Sequence, residues 1–343
     1  MNQIVNSKVR PLLVASQLGA ELNARIAREV EGLTFIDVPP GPLDERATDA
    51  EVVFAAPTHG SVARSWTVVP KSWPGSIRWI QLISAGIDGY PRWIFNGPTV
   101  TCARGPSAQP IAEFVLATIF ASARHLPELW VTNPQEWKDK KKTTRDIAGL
   151  PKGSIPTNIV GRRLAGTTLG LVGFGAIGQR IAELALALGF HVVATRRTDK
   201  PFDIEGVERA ADAGEVFARA DFAVLVAPAT PQTDHLINHA ALAKAKQGLH
   251  LINVARGSLI DDKALLEALD DGRIGLASLD VTDPEPLPEG HPFYTHPRIR
   301  LTPHISMMTD QADTELIAKF ADNIARYRRG EPLRDPVDSV RGY

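Results

Sequence analysis

The chain has 343 residues, 44% hydrophobic and 22% charged, an ordinary globular composition long enough for two domains. With 38 basic against 39 acidic side chains its formal charge is −1, which argues against a nucleic-acid-binding field over the whole surface. One cysteine, Cys102, excludes an internal disulfide and suits a reducing compartment, and no apolar run approaches the ~20 residues of a membrane span.

In chain order, residues 1–8 lack the basic start and apolar core of a secretory signal, so the expectation is a soluble, cytoplasmic protein. Short apolar runs then predict strands at 9–15, 34–38, 51–55, 77–83 and 99–102. Leu22, Ile26 and Val30 recur at helical spacing between the first two. Residues 107–125 read as one long helix with Ile111, Val115, Leu116 and Ile119 on one face. Residues 130–159, rich in Lys, Pro, Gly and Thr, have little periodicity and read as a loop, their lysine run 138–142 as a solvated stretch. A second series of strands is predicted at 168–173, 191–195, 222–227, 249–254, 276–281 and 299–301. Helices fit between them at 177–188, 209–219, 240–244 and 262–269, and a last helix, 310–328, stops at Gly330 and Pro332. Strands alternating with helices make βαβ units, because a parallel return needs a crossover. Six such strands complete a dinucleotide-binding sheet.

Gly173-Phe174-Gly175-Ala176-Ile177-Gly178 stands between a predicted strand and a predicted helix with G-x-G-x-x-G spacing. The first glycine permits a tight turn, the second lets backbone approach a pyrophosphate, and the third allows close helix–strand packing. The N–H groups and positive dipole end of the following helix then face the phosphates. An NAD site normally carries an acid after the next strand, to accept from the ribose 2′-hydroxyl. Arg196, Arg197 and Thr198 occupy that turn here, and guanidinium forks suit a 2′-phosphate. The turn points to NADPH, with NAD(H) as the alternative because Asp199 follows closely.

Four further pieces flank this turn in order. They are Ser84-Ala85-Gly86-Ile87-Asp88, then Asn253-Val254-Ala255-Arg256-Gly257, then Asp280-Val281 with Glu285-Pro286-Leu287-Pro288, then Thr302-Pro303-His304-Ile305. With them the chain resembles the D-isomer-specific 2-hydroxyacid dehydrogenase family over nearly its whole length. The resemblance implies two doubly wound parallel-sheet α/β domains, a Rossmann domain (107–304) inserted into a flavodoxin-like substrate domain (1–106 and 305–343). It implies reduction of a small 2-oxo acid, of the glyoxylate or hydroxypyruvate type, to the D-2-hydroxy acid. His304 is then the general acid, since histidine titrates near neutrality. Glu285 orients the imidazole and favours its protonated form, and Arg256 grips the substrate carboxylate and polarises the ketone.

The same resemblance assigns the backbone N–H groups of Ala85 and Gly86 to the substrate carboxylate and Asp280 to the nicotinamide carboxamide. The run from Ala227 and Pro228 to Thr233 resembles the family's Pro-x-Thr loop at the cofactor, beside Val254, Ala255, Arg256 and His304. It further implies a homodimer. Two alternatives stand: an NAD(H)-preferring dehydrogenase of another substrate, and a nucleotide-sensing, corepressor-like binding protein. The end at Tyr343 points away from the longer phosphoglycerate-type members, and Glu285 away from the formate enzymes, which carry glutamine there. Departures from the family are Cys102-Ala103-Arg104-Gly105, where many members have an asparagine, and a longer link over 130–161. Met307 and Met308 replace smaller residues and are expected to pack beneath the last helix. His235 and His239 have metal-compatible spacing on one helix face, but nothing completes a site, so no metal is expected. Cys102 is expected to be a buried thiol. Trp66, Trp73, Trp79 and Trp93 are expected to build the first domain's core or line its cleft.

Overall fold

The computed structural model describes residues 10–57, 68–147 and 162–341. Residues 1–8, Val9, Trp66, residues 148–161 and the final Gly342-Tyr343 lie outside the described residues. The first part of the chain runs β1 (Leu12–Ser16), α1 (Ala20–Glu29), β2 (Leu33–Asp37), β3 (Val52–Ala55), β4 (Trp79–Leu82) and β5 (Thr99–Thr101). Its strands form a parallel sheet in the order β2-β1-β3-β4-β5, the flavodoxin-like arrangement. Successive side chains leave opposite faces of a strand. Val52 and Phe54 therefore enter one core with Ile26 of α1, whereas Val53 and Ala55 enter the other with Tyr90 and Ile94.

Next come α2 (Ala108–Arg124), α3 (Leu126–Leu129) and α4 (Pro134–Ile147). The chain then builds β6 (Thr168–Val172), α5 (Ala176–Ala187), β7 (His191–Thr195), β8 (Val207–Arg209), α6 (Ala213–Arg219) and β9 (Phe222–Leu225). It ends with α7 (His239–Leu242), β10 (Leu249–Asn253), α8 (Asp262–Asp270), β11 (Ile274–Leu279), β12 (Ile299–Leu301) and α9 (Ala312–Arg329). These strands pair in parallel as β12-β11-β10-β9-β6-β7-β8. Leu169 and Leu171 pack beneath α2 and α5, and Val172 packs with α6 and α8 on the opposite face. Covering both faces is what makes these strands near-continuous apolar runs.

The last helix leaves this second sheet and returns to the first. Ile317, Phe320 and Ile324 of α9 share a core with Val14, Phe54 and Trp79. The rings of Phe320 and Phe54 lie 4.7 Å apart. Gly330 ends α9 in a left-handed conformation (φ 67°), its neighbour Glu331 donating back to the Arg326 carbonyl. No helix of the described residues is long and apolar enough to cross a membrane.

Several expectations are corrected. The second sheet has seven strands rather than six, because β8 is only three residues long and too short to show a period. Arg209 ends that strand and does not start a helix; α6 begins at Ala213, where Asp212 accepts from the Glu215 amide. Part of the 130–159 stretch is helical. Asn133 accepts from the Glu136 amide, Gln135 pairs with Asp139 one turn on, and the Lys140 ammonium reaches the Trp130 carbonyl. Apart from Pro134 and Trp137, residues 134–140 are polar, which leaves no apolar stripe at helical spacing to read. His235 and His239 do not share a helix face: His235 sits in a left-handed turn (φ 47°) and His239, the first residue of α7, pairs with Glu267. Cys102 is buried, and burial pushes its thiol pKa up. Trp79 is fully buried, and Trp73 and Trp93 pack edge to face at 4.7 Å.

Candidate active site

The motifs singled out above for the proposed chemistry follow the C-terminal ends of parallel strands. The loop 84–88 follows β4, the glycine turn follows β6, and Arg196–Thr198 follows β7. Ala227, Arg256, Asp280 and His304 come after β9, β10, β11 and β12. In doubly wound sheets these ends line the crevice where ligands bind.

His304 has a left-handed backbone (φ 54°), and its N–H donates to the Asp280 carbonyl at 2.9 Å. Its Nδ1 lies 3.0 Å from Glu285 Oε2, both side chains being about a quarter exposed (29% and 26%). A carboxylate only accepts, so Nδ1 carries the hydrogen in this pair. Glu285 is itself anchored, because Oε1 accepts from the Thr282 amide at 3.1 Å. Beneath this pair Asp280 is almost fully buried. Its carboxylate accepts from the Thr302 hydroxyl (2.6 Å) and from the amides of Ile305 (3.0 Å) and Ser306 (2.9 Å). Burial works against its ionisation, but hydrogen bonds from Ser306, Thr302 and Ile305 outweigh it and hold the carboxyl below its usual range. Asp280 is thus engaged by the turn that presents His304. That turn also decides the methionines. Ser306 is the buried member, and Met307 (39% exposed) and Met308 (69%) face outward rather than packing under α9.

Arg256 meets the first sheet's loop. Its Nε donates to Asp88 Oδ2 at 2.8 Å and its Nη1 to the Ala255 carbonyl at 2.7 Å, while Nη2 lies where a Cβ on Gly86 would fall. Buried Asn253 clips the loop from below, donating to the Arg256 carbonyl at 2.8 Å and accepting from the Ala255 amide at 3.0 Å. Gly257 then runs against Thr282 and Asp283 so closely that a Cβ would overlap their backbone. Asp88, Asn253 and Gly257 stand inside the motifs that carry the resemblance, yet no local signal gives them these partners.

On the cofactor side Gly173 (φ 108°) turns the chain, and a Cβ there would lie 2.7 Å from the Val226 backbone. Among the described residues a Cβ on Gly175 meets nothing within 4 Å and no side chain caps α5, whereas Gly178 is buried against the Gly173 carbonyl, so the open side lies at Gly175 and the start of the helix. This cradle fits a pyrophosphate. Thr233 closes the neighbouring loop, its hydroxyl donating to the Pro228 carbonyl at 2.7 Å, and Ala227 and Val254 are buried. Arg196 folds back on its own turn. Its Nη2 donates to the carbonyls of Lys200 (2.5 Å) and Pro201 (2.8 Å), and it shares the Phe202 ring with Arg209. The Arg196 Nε is occluded, and among the described residues it has no acceptor. Arg197 is exposed, and Thr198 is half-buried with its carbonyl held by Arg209.

Comparison with known proteins agrees with this architecture. The family model described as "D-isomer specific 2-hydroxyacid dehydrogenase, NAD binding domain" matches residues 116–306. A glyoxylate/hydroxypyruvate reductase A of Serratia proteamaculans is 30% identical over 315 residues, 88% of this chain and 90% of that one. D-3-phosphoglycerate dehydrogenases of Methanocaldococcus jannaschii and Bacillus subtilis are both 34% identical, over 71% of this chain; the match spans less than half of their own length, 44% and 43%. A D-isomer specific 2-hydroxyacid dehydrogenase from Xanthobacter autotrophicus Py2, solved with NADPH and MES, superposes with TM-score 0.74 and 25% identity, covering 97% of this chain and 100% of that one. By a match over more than half its length and a fold shared over nearly all of it, the chain belongs to the D-isomer specific 2-hydroxyacid dehydrogenase family.

Proposed function

We propose that the protein is an NADPH-preferring reductase of small 2-oxo acids of the glyoxylate or hydroxypyruvate type, forming the D-2-hydroxy acid. The carrying observation is the His304–Glu285 pair, set on the same sheet edge as an arginine that reaches Gly86. When bound, the nicotinamide cofactor supplies the hydride. Arg256 and the N–H groups of Ala85 and Gly86 hold the substrate carboxylate. Arg256 also stabilises negative charge developing on the ketone oxygen. His304 delivers the proton to that oxygen from Nε2, and Glu285 fixes the ring by occupying Nδ1. In the reverse direction the same nitrogen takes the hydroxyl proton.

In this reading Gly173, Gly175, Ala176, Ile177 and Gly178 hold the pyrophosphate, and Ala227, Pro228, Thr233, Val254 and Ala255 border the dinucleotide. Asp280 is assigned the carboxamide only by the resemblance, its carboxylate being held by the three donors of the His304 turn. Arg196, Arg197 and Thr198 take the 2′-phosphate, supported by exposed Arg197 at that turn and by the NADPH carried by the Xanthobacter neighbour. Residues 1–106 and 305–343 form the substrate lobe and 107–304 the cofactor lobe, a division supported by the return of α9 to the first sheet. The buried lone thiol supports a cytoplasmic location, and exposed Trp130 and Trp137 support a homodimer.

The test is consumption of NADPH, and separately of NADH, with glyoxylate, hydroxypyruvate, pyruvate and 3-phosphohydroxypyruvate. Turnover of the first two with NADPH, abolished by His304→Ala, is the expected result. Cofactor binding with no turnover of any acid would replace this reading with a nucleotide sensor.

A further inference from the structure

Arg256 and Asp88 are 168 residues apart and belong to loops of different sheets, β10–α8 and the loop after β4, yet their side chains pair. A guanidinium carries its N–H donors in one rigid plane. Two acceptors fix that plane here: Asp88 Oδ2 on Nε at 2.8 Å and the Ala255 carbonyl on Nη1 at 2.7 Å. Nη2 is thereby turned onto Gly86. The loop bearing Asp88 is itself held, since the Ser84 hydroxyl donates to the Gly86 carbonyl at 2.6 Å and the Tyr90 hydroxyl to the Ala55 carbonyl at 3.1 Å. Both partners of the pair remain partly exposed (26% and 34%), so the ion pair itself contributes little to stability. What it supplies is direction.

We propose that Asp88 is a positioning residue for Arg256. From the opposite lobe it aims Nη2 so that the guanidinium and the Ala85 and Gly86 amides converge on one carboxylate site. This rests on the reading of Arg256 as the carboxylate-binding residue. An arginine aligned from the other sheet takes that direction only while the two loops meet. Bringing the lobes together and readying the anion site are therefore a single event. A simple strut between lobes predicts something different: equal weakening toward acid and cofactor, together with loss of stability.

The experiment compares Asp88→Ala and Asp88→Asn with the wild-type protein. Asp88→Ala is expected to raise KM for the 2-oxo acid about tenfold, with the KM for NADPH and Tm little changed. Asp88→Asn keeps an oxygen that accepts the Nε hydrogen and is expected to recover most of that loss. Calorimetric binding of oxalate to the NADPH-loaded protein, weakened to the same degree by Asp88→Ala and restored by Asp88→Asn, needs no turnover. If the wild-type protein reduces no 2-oxo acid but binds oxalate in this Asp88-dependent way, only the functional reading falls. Unchanged oxalate affinity in Asp88→Ala, an asparagine variant no better than alanine, or parallel losses in acid, cofactor and Tm would each overturn the positioning role. Failure of the wild-type protein to bind oxalate would overturn both.

Discussion

Glycines at this site matter for the atoms they lack. Gly257 joins the loop of Arg256 to the backbone at Thr282 and Asp283, directly before Glu285, and a methyl group there has backbone rather than a flexible side chain to displace. Gly257→Ala is therefore expected to lower stability by about 1–3 kcal/mol, read from thermal or denaturant unfolding. It should also depress kcat/KM, because the shift separates the arginine from the carboxylate that orients His304. Preserved activity with reduced stability would uncouple the two loops. Asp280 works at the same scale, spending its carboxylate on Thr302, Ile305 and Ser306 to hold a histidine in a left-handed conformation.

Among the elements, the long helix α2 is tied to the second sheet by polar as well as apolar contacts. His250 of β10 reaches Ser122 of α2 at 3.2 Å through Nδ1 and Ser278 of β11 at 2.9 Å through Nε2. Burial pushes its imidazole from the ordinary 6.5 down to about 4. The unfolded chain then takes up this proton before the folded one does. Its neutral form supports the fold fully above about pH 6.5, and that support is lost as the pH falls toward 4, on the order of 3 kcal/mol in all. His250→Gln, which can still bond both serines, is expected to flatten stability against pH in this window; equal slopes for both proteins would refute the assignment. The start of α4 illustrates the opposite case, held by the Asn133 cap and the one-turn Gln135–Asp139 pair.

For the whole molecule, the first sheet is completed only by the end of the chain. Ile317, Phe320 and Ile324 are buried against β1, β3 and β4, and Trp79 stacks with Tyr327 at 5.4 Å. Burying three such side chains contributes roughly 5–9 kcal/mol, comparable with the net stability of a domain. A chain ending at Gln311 is expected to lose the first lobe while the second sheet, which has its own two cores, stays folded. Limited proteolysis checks this: rapid cleavage within residues 12–101 and protection of 168–301 is the expected pattern, and uniform protection would contradict it.

What the amino-acid sequence determined by itself is what depends on neighbours in the chain. The glycine turn, the strand ends, the stop at Gly330 and the order of the motifs are local, and local sterics and periodicity decide them. Arg196 was legible as a residue of the turn after β7, though not its fold back onto Lys200 and Phe202. Tertiary structure alone decided that Asp88 meets Arg256, that Gly257 abuts Thr282, and that Met307 and Met308 face outward. These pairings join distant parts of the chain, and their energies come from burial and through-space geometry, which no spacing along one strand or helix encodes.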